Sequence, residues 1–436
     1  MKFRSTLSHD PQVSFKEAVL RCLPPDGGLY VPFKVMDMRQ YFFDMNENTA
    51  YPELVTAVTR ALLHGELNHF SAARVAESAF DFEPELIQLD ENFSILNLYN
   101  GPSGTFKDFG VAFLAAVLEE LLKNDPRALV LSAVRGDGGF NMAKAFYGRN
   151  ELTSVLLYPD GPICGLNSAF FVPNGGNIIP IQVKGTLDNC QQLITEAITG
   201  KSFAKQYKIT SANAINLGRL LPQAFYFLFA YIKIKSRLSG DLFFSVPSGN
   251  FGNLISGLYA WKFGLPANGF IAAMNINNTF GDFIRGKKFE ARPVVTTNSP
   301  ALDVSIPSNY ARLNCFYDEA PDVMRKMVFP ASIDDAVTLK TMEYVWKQYG
   351  ILLDPHGAVA FAAAQDFINS QGSQKQAHVI VLATGHPARE AGTVETATGQ
   401  KAVLSDKLAL LKKESEPVVT IEPNLSALDK TLAAYF

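Results

Sequence analysis

The sequence predicts an α/β fold: two parallel-type α/β domains with a separate N-terminal unit and a C-terminal tail. Three observations carry this expectation. From about residue 126 onward, short apolar β-branched runs alternate with helical stretches, the pattern of a parallel sheet covered on both faces. Polar turns, several bearing glycine, follow those runs, where open α/β sheets hold their ligands. The 436 residues also exceed a usual single core, so two domains with a cleft between them are expected.

Residues 1–100 have a texture of their own, with the turn cluster Pro24-Pro25-Asp26-Gly27-Gly28 and helical periodicity over 49–63. They are read as an N-terminal unit. Residues 101–215 form the smaller α/β domain, with strands at 128–131, 153–158 and 178–183 and a glycine turn after the first. Residues 216–395 form the larger domain. One long helix is expected over 219–237, then strands at 242–246, 270–274 and 378–383. Residues 396–436 read as an appended tail, charged over 407–416 and strand-like over 418–422.

Hydrophobic residues make up 47% and charged residues 19%, ordinary globular usage that excludes overall disorder. A net charge of −3 supplies no field to collect phosphate backbones or anionic lipid, so nucleic acid is not an expected partner. No apolar run approaches the roughly 20 residues of a spanning helix, and residues 1–11 lack the apolar core of an export signal. A cytoplasmic location is expected. Cys22, Cys164, Cys190 and Cys315 are widely separated and read as free thiols. None of the six histidines forms HExxH, and no metal is expected.

The chemistry sits in two segments. Ser248-Gly249-Asn250-Phe251-Gly252-Asn253 lies between a strand and a helix, so backbone N–H groups and the positive helix end converge where a phosphate could bind. It contains no lysine, unlike a nucleotide P-loop. Lys107, in Gly101-Pro102-Ser103-Gly104-Thr105-Phe106-Lys107-Asp108, stands between a turn and an apolar helix. A buried amine of lowered pKa holds an aldehyde and later acts as a base. A phosphate cradle plus such a lysine is the minimum for pyridoxal 5′-phosphate (PLP).

Several separated motifs, in one order, resemble the threonine synthase family over nearly the whole length. Pro25-Asp26-Gly27-Gly28-Leu29-Tyr30-Val31-Pro32 resembles its N-terminal signature, the Lys107 segment its cofactor-lysine motif, and 248–253 its PLP-phosphate loop. Ser211-Ala212-Asn213-Ala214-Ile215-Asn216-Leu217-Gly218-Arg219-Leu220 is similar to its substrate-phosphate segment. Ser299-Pro300-Ala301-Leu302-Asp303, Pro307-Ser308-Asn309, Asp354-Pro355-His356-Gly357 and Ala383-Thr384-Gly385-His386-Pro387-Ala388 continue the match.

The resemblance implies PLP fold type II, the tryptophan-synthase-β-like fold, and conversion of O-phospho-L-homoserine and water to L-threonine and phosphate. It implies Lys107 as the Schiff-base lysine and catalytic base, with Thr384 on the pyridine nitrogen. Asn213 and Arg219 would hold the phosphate of a small phosphorylated amino acid, in a monomer or homodimer.

The family's substrate loop usually reads T-S-G-D-T-G, whereas here it is Val134-Arg135-Gly136-Asp137-Gly138-Gly139, with Phe140 at a small-residue position and Ala214 where relatives often have serine. The resemblance implies that Arg135, Gly136 and Gly138 meet the substrate and that Asp137 faces the cofactor ring oxygen. Each lost hydrogen bond to a charged group costs about 1.5–3 kcal/mol, and three roles stay open for Arg135: offsetting several through one bidentate contact, selecting another acid substrate, or standing in solvent with the loop swung outward. Three functions stay open: threonine synthase with a remodelled carboxylate site, a PLP lyase or phospho-lyase on a related amino acid, and a non-catalytic PLP-binding paralogue.

Overall fold

The computed structural model describes residues 1–436 apart from 124, 126, 135–137, 162, 165, 167, 201, 202, 204, 205, 286, 288, 372–375, 405, 410–413, 416–418 and 436. Its strands begin with β1 (Phe3–Ser5), β2 (Tyr30–Pro32), β3 (Glu85–Gln88), β4 (Phe93–Asn97) and β5 (Ala128–Ala133). They continue with β6 (Leu152–Tyr158), β7 (Ile163–Cys164), β8 (Ile178–Val183), β9 (Ile209–Ser211) and β10 (Asp241–Pro247). Towards the C-terminus follow β11 (Gly269–Met274), β12 (Val328–Ser332), β13 (Ala377–Ala383), β14 (Glu414–Ser415) and β15 (Thr420–Ile421).

Two sheets organise the molecule. The larger runs β12-β11-β10-β13-β4-β3, parallel except for the antiparallel β3–β4 edge. The smaller runs β15-β8-β6-β5-β9, parallel throughout. The strands β5, β6, β11 and β13 are buried along their whole length, because helices cover both faces and near-continuous apolar runs are then required.

The sheets cross the segment boundaries expected from sequence. β4 lies within the first hundred residues yet pairs with β13, Ala383 opposite Asn97. β15 comes from the tail and pairs with β8. Leu408, also in the tail, is buried against Phe140. The helix expected over 219–237 is divided into Leu217–Leu220, the tighter turn Leu221–Gln223 and Ala224–Ile234. Pro222 is the cause, since its ring and missing N–H interrupt a continuous α-helix.

The N-terminal unit packs through aromatic rings. Tyr51 meets Phe80, Phe109 and Phe229 at centroid distances of 5.1, 5.7 and 5.2 Å, all edge to face. Phe109 belongs to the helix Lys107–Leu121, so this cluster seats the lysine-bearing helix.

Arg312, 0% exposed, adds a polar tie. Its Nε donates to Tyr30 O (3.0 Å), Nη1 to Asn309 Oδ1 (2.7 Å) and Ala214 O (3.2 Å), and Nη2 to Ile215 O (2.6 Å). Arg312→Ala leaves these acceptors buried without a donor and should lower the unfolding free energy by about 3 kcal/mol or more, read as a lower urea midpoint at unchanged slope.

Candidate active site

Three adjacent strands deliver the candidate residues. β4, β13 and β10 are parallel neighbours, so their C-terminal ends lie side by side. β4 leads into the lysine turn, β13 ends just before Thr384 and β10 leads into the 248–253 segment.

The lysine turn is folded around a buried carboxylate. Asp108, 2% exposed, accepts from Ser103 N at 2.8 Å and from Ser103 Oγ at 2.7 Å. A Cβ on Gly101 would lie 2.6 Å from Asp108 Oδ2, so only glycine lets the chain pass. The turn is stitched to the segment after β13: Phe106 N donates to Thr384 O (3.0 Å) and His386 N to Gly104 O (2.9 Å). Lys107 is therefore held beside Thr384 at the start of its helix. Lys107 is itself exposed, whereas the sequence led to an enclosed amine, and Asp108 next to it is buried.

Thr384 is 8% exposed, and among the described residues its hydroxyl has no hydrogen-bond partner. It does not satisfy a strand-end amide.

The 248–253 segment is a sharp turn into the helix Gly252–Lys262. Phe251 adopts φ 59°, left-handed backbone that costs a side-chain-bearing residue about 1–2 kcal/mol. A Cβ on Gly249 would lie 2.6 Å from Ala301 O, so the backbone of residue 301 rests on this glycine. Among the described residues, the N–H groups of Gly249, Asn250, Gly252 and Asn253 donate to no protein acceptor. Asn253 accepts from Tyr226 OH at 2.6 Å through Oδ1, while its Nδ2 is buried without a partner. Ser248 differs from the sequence expectation, since its N–H is taken by Ala273 O (2.8 Å) and its Oγ donates to Val246 O (2.7 Å). The oxygen keeps its lone pairs for a further donor.

Arg219 lies against the lysine helix. A Cβ on Gly110, one turn beyond Lys107, would be 2.3 Å from Arg219 O and 3.0 Å from its Cγ. Arg219 is 8% exposed, and its guanidinium makes one hydrogen bond, Nη1 to Ala212 O at 2.6 Å, with no ion pair among the described residues. Burial lowers its pKa to about 10, partly opposed by Asp108, so it stays cationic at neutral pH.

Asn213 faces Ala133: Oδ1 accepts from Ala133 N and Nδ2 donates to Ala133 O, both at 2.8 Å. It thereby clamps the end of β5, where the substrate loop begins, and keeps one Nδ2 hydrogen for another acceptor. Arg135, Gly136 and Asp137 lie outside the described residues, and Gly138 opens the helix Gly138–Phe146.

Three structural partners escaped sequence reasoning as site residues. Asp108 was visible as a charge followed by an apolar helix. Asp354 and His356 were visible as a motif whose partner, Ala301, is remote in sequence. Among the described residues no cluster of His, Cys, Asp or Glu is placed to hold a metal ion, and no helix is long and apolar enough to cross a membrane.

Residues 2–80 match the model of the threonine synthase N terminus, and residues 357–432 that of the threonine synthase C-terminal region. The threonine synthase of Serratia marcescens is 33% identical over 94% of both chains. This chain belongs to the threonine synthase family. Its fold agrees throughout with that family. The crystal structure of threonine synthase from Escherichia coli matches with a TM-score of 0.85 at 31% identity, covering 100% of each chain. The PLP-bound threonine synthase of Brucella melitensis matches with a TM-score of 0.87 at 27% identity, covering 100% of this chain and 99% of the other. The architecture is that of PLP fold type II.

Burial pushes the Asp108 carboxyl up to about 6 against the opposing Ser103 hydrogen bonds. Its folded pKa thus exceeds the unfolded value of 3.8, and the native state holds the extra proton. This stabilisation is present below the unfolded value and is lost as pH rises through about 6. Relative to Asp108→Asn, which does not titrate there, wild type should lose up to about 3 kcal/mol across this window and change little above it. Urea unfolding of both proteins between pH 4 and 7 measures the difference.

Proposed function

We propose that this chain binds PLP and converts O-phospho-L-homoserine and water into L-threonine and phosphate. The observation that carries the reading is the set of donors with no acceptor among the described residues at neighbouring strand ends: four backbone N–H groups after β10 and the Thr384 hydroxyl after β13. Together with Lys107 they suit a phosphate, a ring nitrogen and an aldehyde, the three attachment points of PLP.

Lys107 would carry the cofactor, Gly249 to Asn253 its phosphate and Thr384 its pyridine nitrogen. A hydroxyl holds that nitrogen without the charge of a carboxylate. When bound, PLP supplies the electron sink that makes Cα–H and then Cβ–H acidic. The Lys107 amine takes the Cα proton and then a Cβ proton, and phosphate leaves from Cγ. Water adds at Cβ, and protons return to Cγ and Cα. An amine on the first turn of a helix seated by the aromatic cluster can serve adjacent carbons without a second base.

Arg219 supports a phosphorylated substrate. Among the described residues its guanidinium makes one hydrogen bond and no ion pair, so a dianion would compensate a buried charge and use the remaining N–H donors. Asn213 would hold the substrate loop at Ala133 and offer its remaining hydrogen. The residues assigned to the site belong to one chain, so a monomer or homodimer suffices. The net charge of −3 favours a small-molecule enzyme over a nucleic-acid binder.

Absorption titration with PLP, followed by O-phospho-L-homoserine with phosphate and threonine assayed, tests the reading. Wild type should show a PLP band and release phosphate, and Lys107→Ala should do neither. PLP binding without phosphate release would transfer the function to another amino-acid substrate or to a non-catalytic role. Arg219→Met, which keeps the stem against Gly110, should raise KM about 10–100-fold while leaving the urea midpoint near wild type, because an unpaired buried charge is removed.

A further inference from the structure

Asp354 and His356 form a buried pair that the proposed reaction does not use. Asp354 is 2% exposed and His356 8%. Asp354 Oδ1 accepts from Gly357 N at 2.8 Å, at the start of the helix Pro355–Gln371, and Oδ2 lies 2.6 Å from His356 Nδ1. On the other side of the ring, Ala301 N donates to His356 Nε2 at 3.1 Å. A backbone N–H can only donate, so Nε2 is unprotonated and Nδ1 carries the proton that Asp354 accepts. The imidazole is thus held neutral and in one tautomer.

Asp354 meets the candidate cofactor site directly, and His356 meets it through the Ala301 peptide. Ala301 O lies 2.6 Å from the Cβ position of Gly249, the first free N–H of the cradle. Asp354 Oδ2 lies 2.7 Å from the Cβ position of Gly385, which follows Thr384. The absence of a side chain at either glycine lets the pair reach both segments.

We propose that His356, fixed in one tautomer by Asp354, is a positioning residue that locks the Ala301 peptide onto Gly249 and so sets the phosphate cradle in register with Thr384. The inference rests on reading these segments as the PLP site. Its consequence is electronic rather than steric. Asp354→Asn keeps the acceptor for Gly357 N but can turn an amide N–H toward Nδ1. That would drive the ring proton to Nε2, where it confronts the Ala301 N–H.

The experiment is PLP titration of cofactor-free protein, followed by intrinsic fluorescence, for wild type, Asp354→Asn, His356→Gln and the double variant. Asp354→Asn should weaken PLP binding roughly tenfold or more, the effect of leaving one buried N–H unpaired. His356→Gln offers an amide oxygen to Ala301 N without a tautomer to set. It should bind PLP within a few-fold of wild type, and adding Asp354→Asn to it should have little further effect.

Equal loss from Asp354→Asn in both backgrounds, or none in either, would overturn the inference while leaving the PLP reading intact. Folded wild type that binds no PLP would overturn both. Should Asp354→Asn not fold, His356→Leu against His356→Gln decides instead. The amide should retain affinity that leucine loses, and equal affinities would overturn the proposal.

Discussion

A carboxylate buried one residue after Lys107 holds the lysine turn in shape. Asp108 is in no ion pair among the described residues, and the two donations from Ser103 oppose its burial only in part, which leaves the carboxyl raised to about 6. The arrangement persists because the surrounding backbone leaves the carboxylate no other position. Gly101 passes over it, Phe106 and His386 are tied across to Thr384 and Gly104, and Arg389 Nη1 donates to Ser103 O at 2.9 Å. The lysine's place is therefore set from both sides, by the helix that begins with it and by the strand end beside it.

The parts of the fold legible in sequence are those where burial on both faces leaves an unbroken apolar run. β13 spans Ala377–Ala383 with every residue buried, and β5 and β6 are alike. Less regular strands were hidden. β12 contains Pro330, which argues against a strand until its position at the sheet edge is known. β4 is five residues long with Ser94 as its second, and Ser94 is tolerated because its Oγ meets His378 Nε2 at 2.9 Å, a partner 284 residues away.

The site shows the same division. Motif order places Lys107, the cradle and Thr384 at strand ends, but it does not reveal which donors are already in use. Ser248 N is taken by β11, and most of the Asn213 amide by β5. Those hydrogen bonds depend on register between strands far apart in sequence. The lysine's exposure was hidden too, because an apolar helix describes the residues after Lys107 and not the direction in which its own side chain leaves.

The two buried arginines show why burial alone does not identify a ligand-binding residue. Both have their pKa lowered to about 10 by desolvation, and neither is in an ion pair among the described residues. Arg312 makes four hydrogen bonds to fixed acceptors in three separate segments, so its burial cost is offset within the protein. Arg219 makes one. A cation left with unused donors beside the lysine helix stores a preference for an anion, since binding one recovers interaction energy that folding did not. Arg312 has little left to gain from a ligand, whereas for Arg219 the ligand supplies most of the compensation. The number of satisfied donors, rather than the depth of burial, separates a structural arginine from a recognition one.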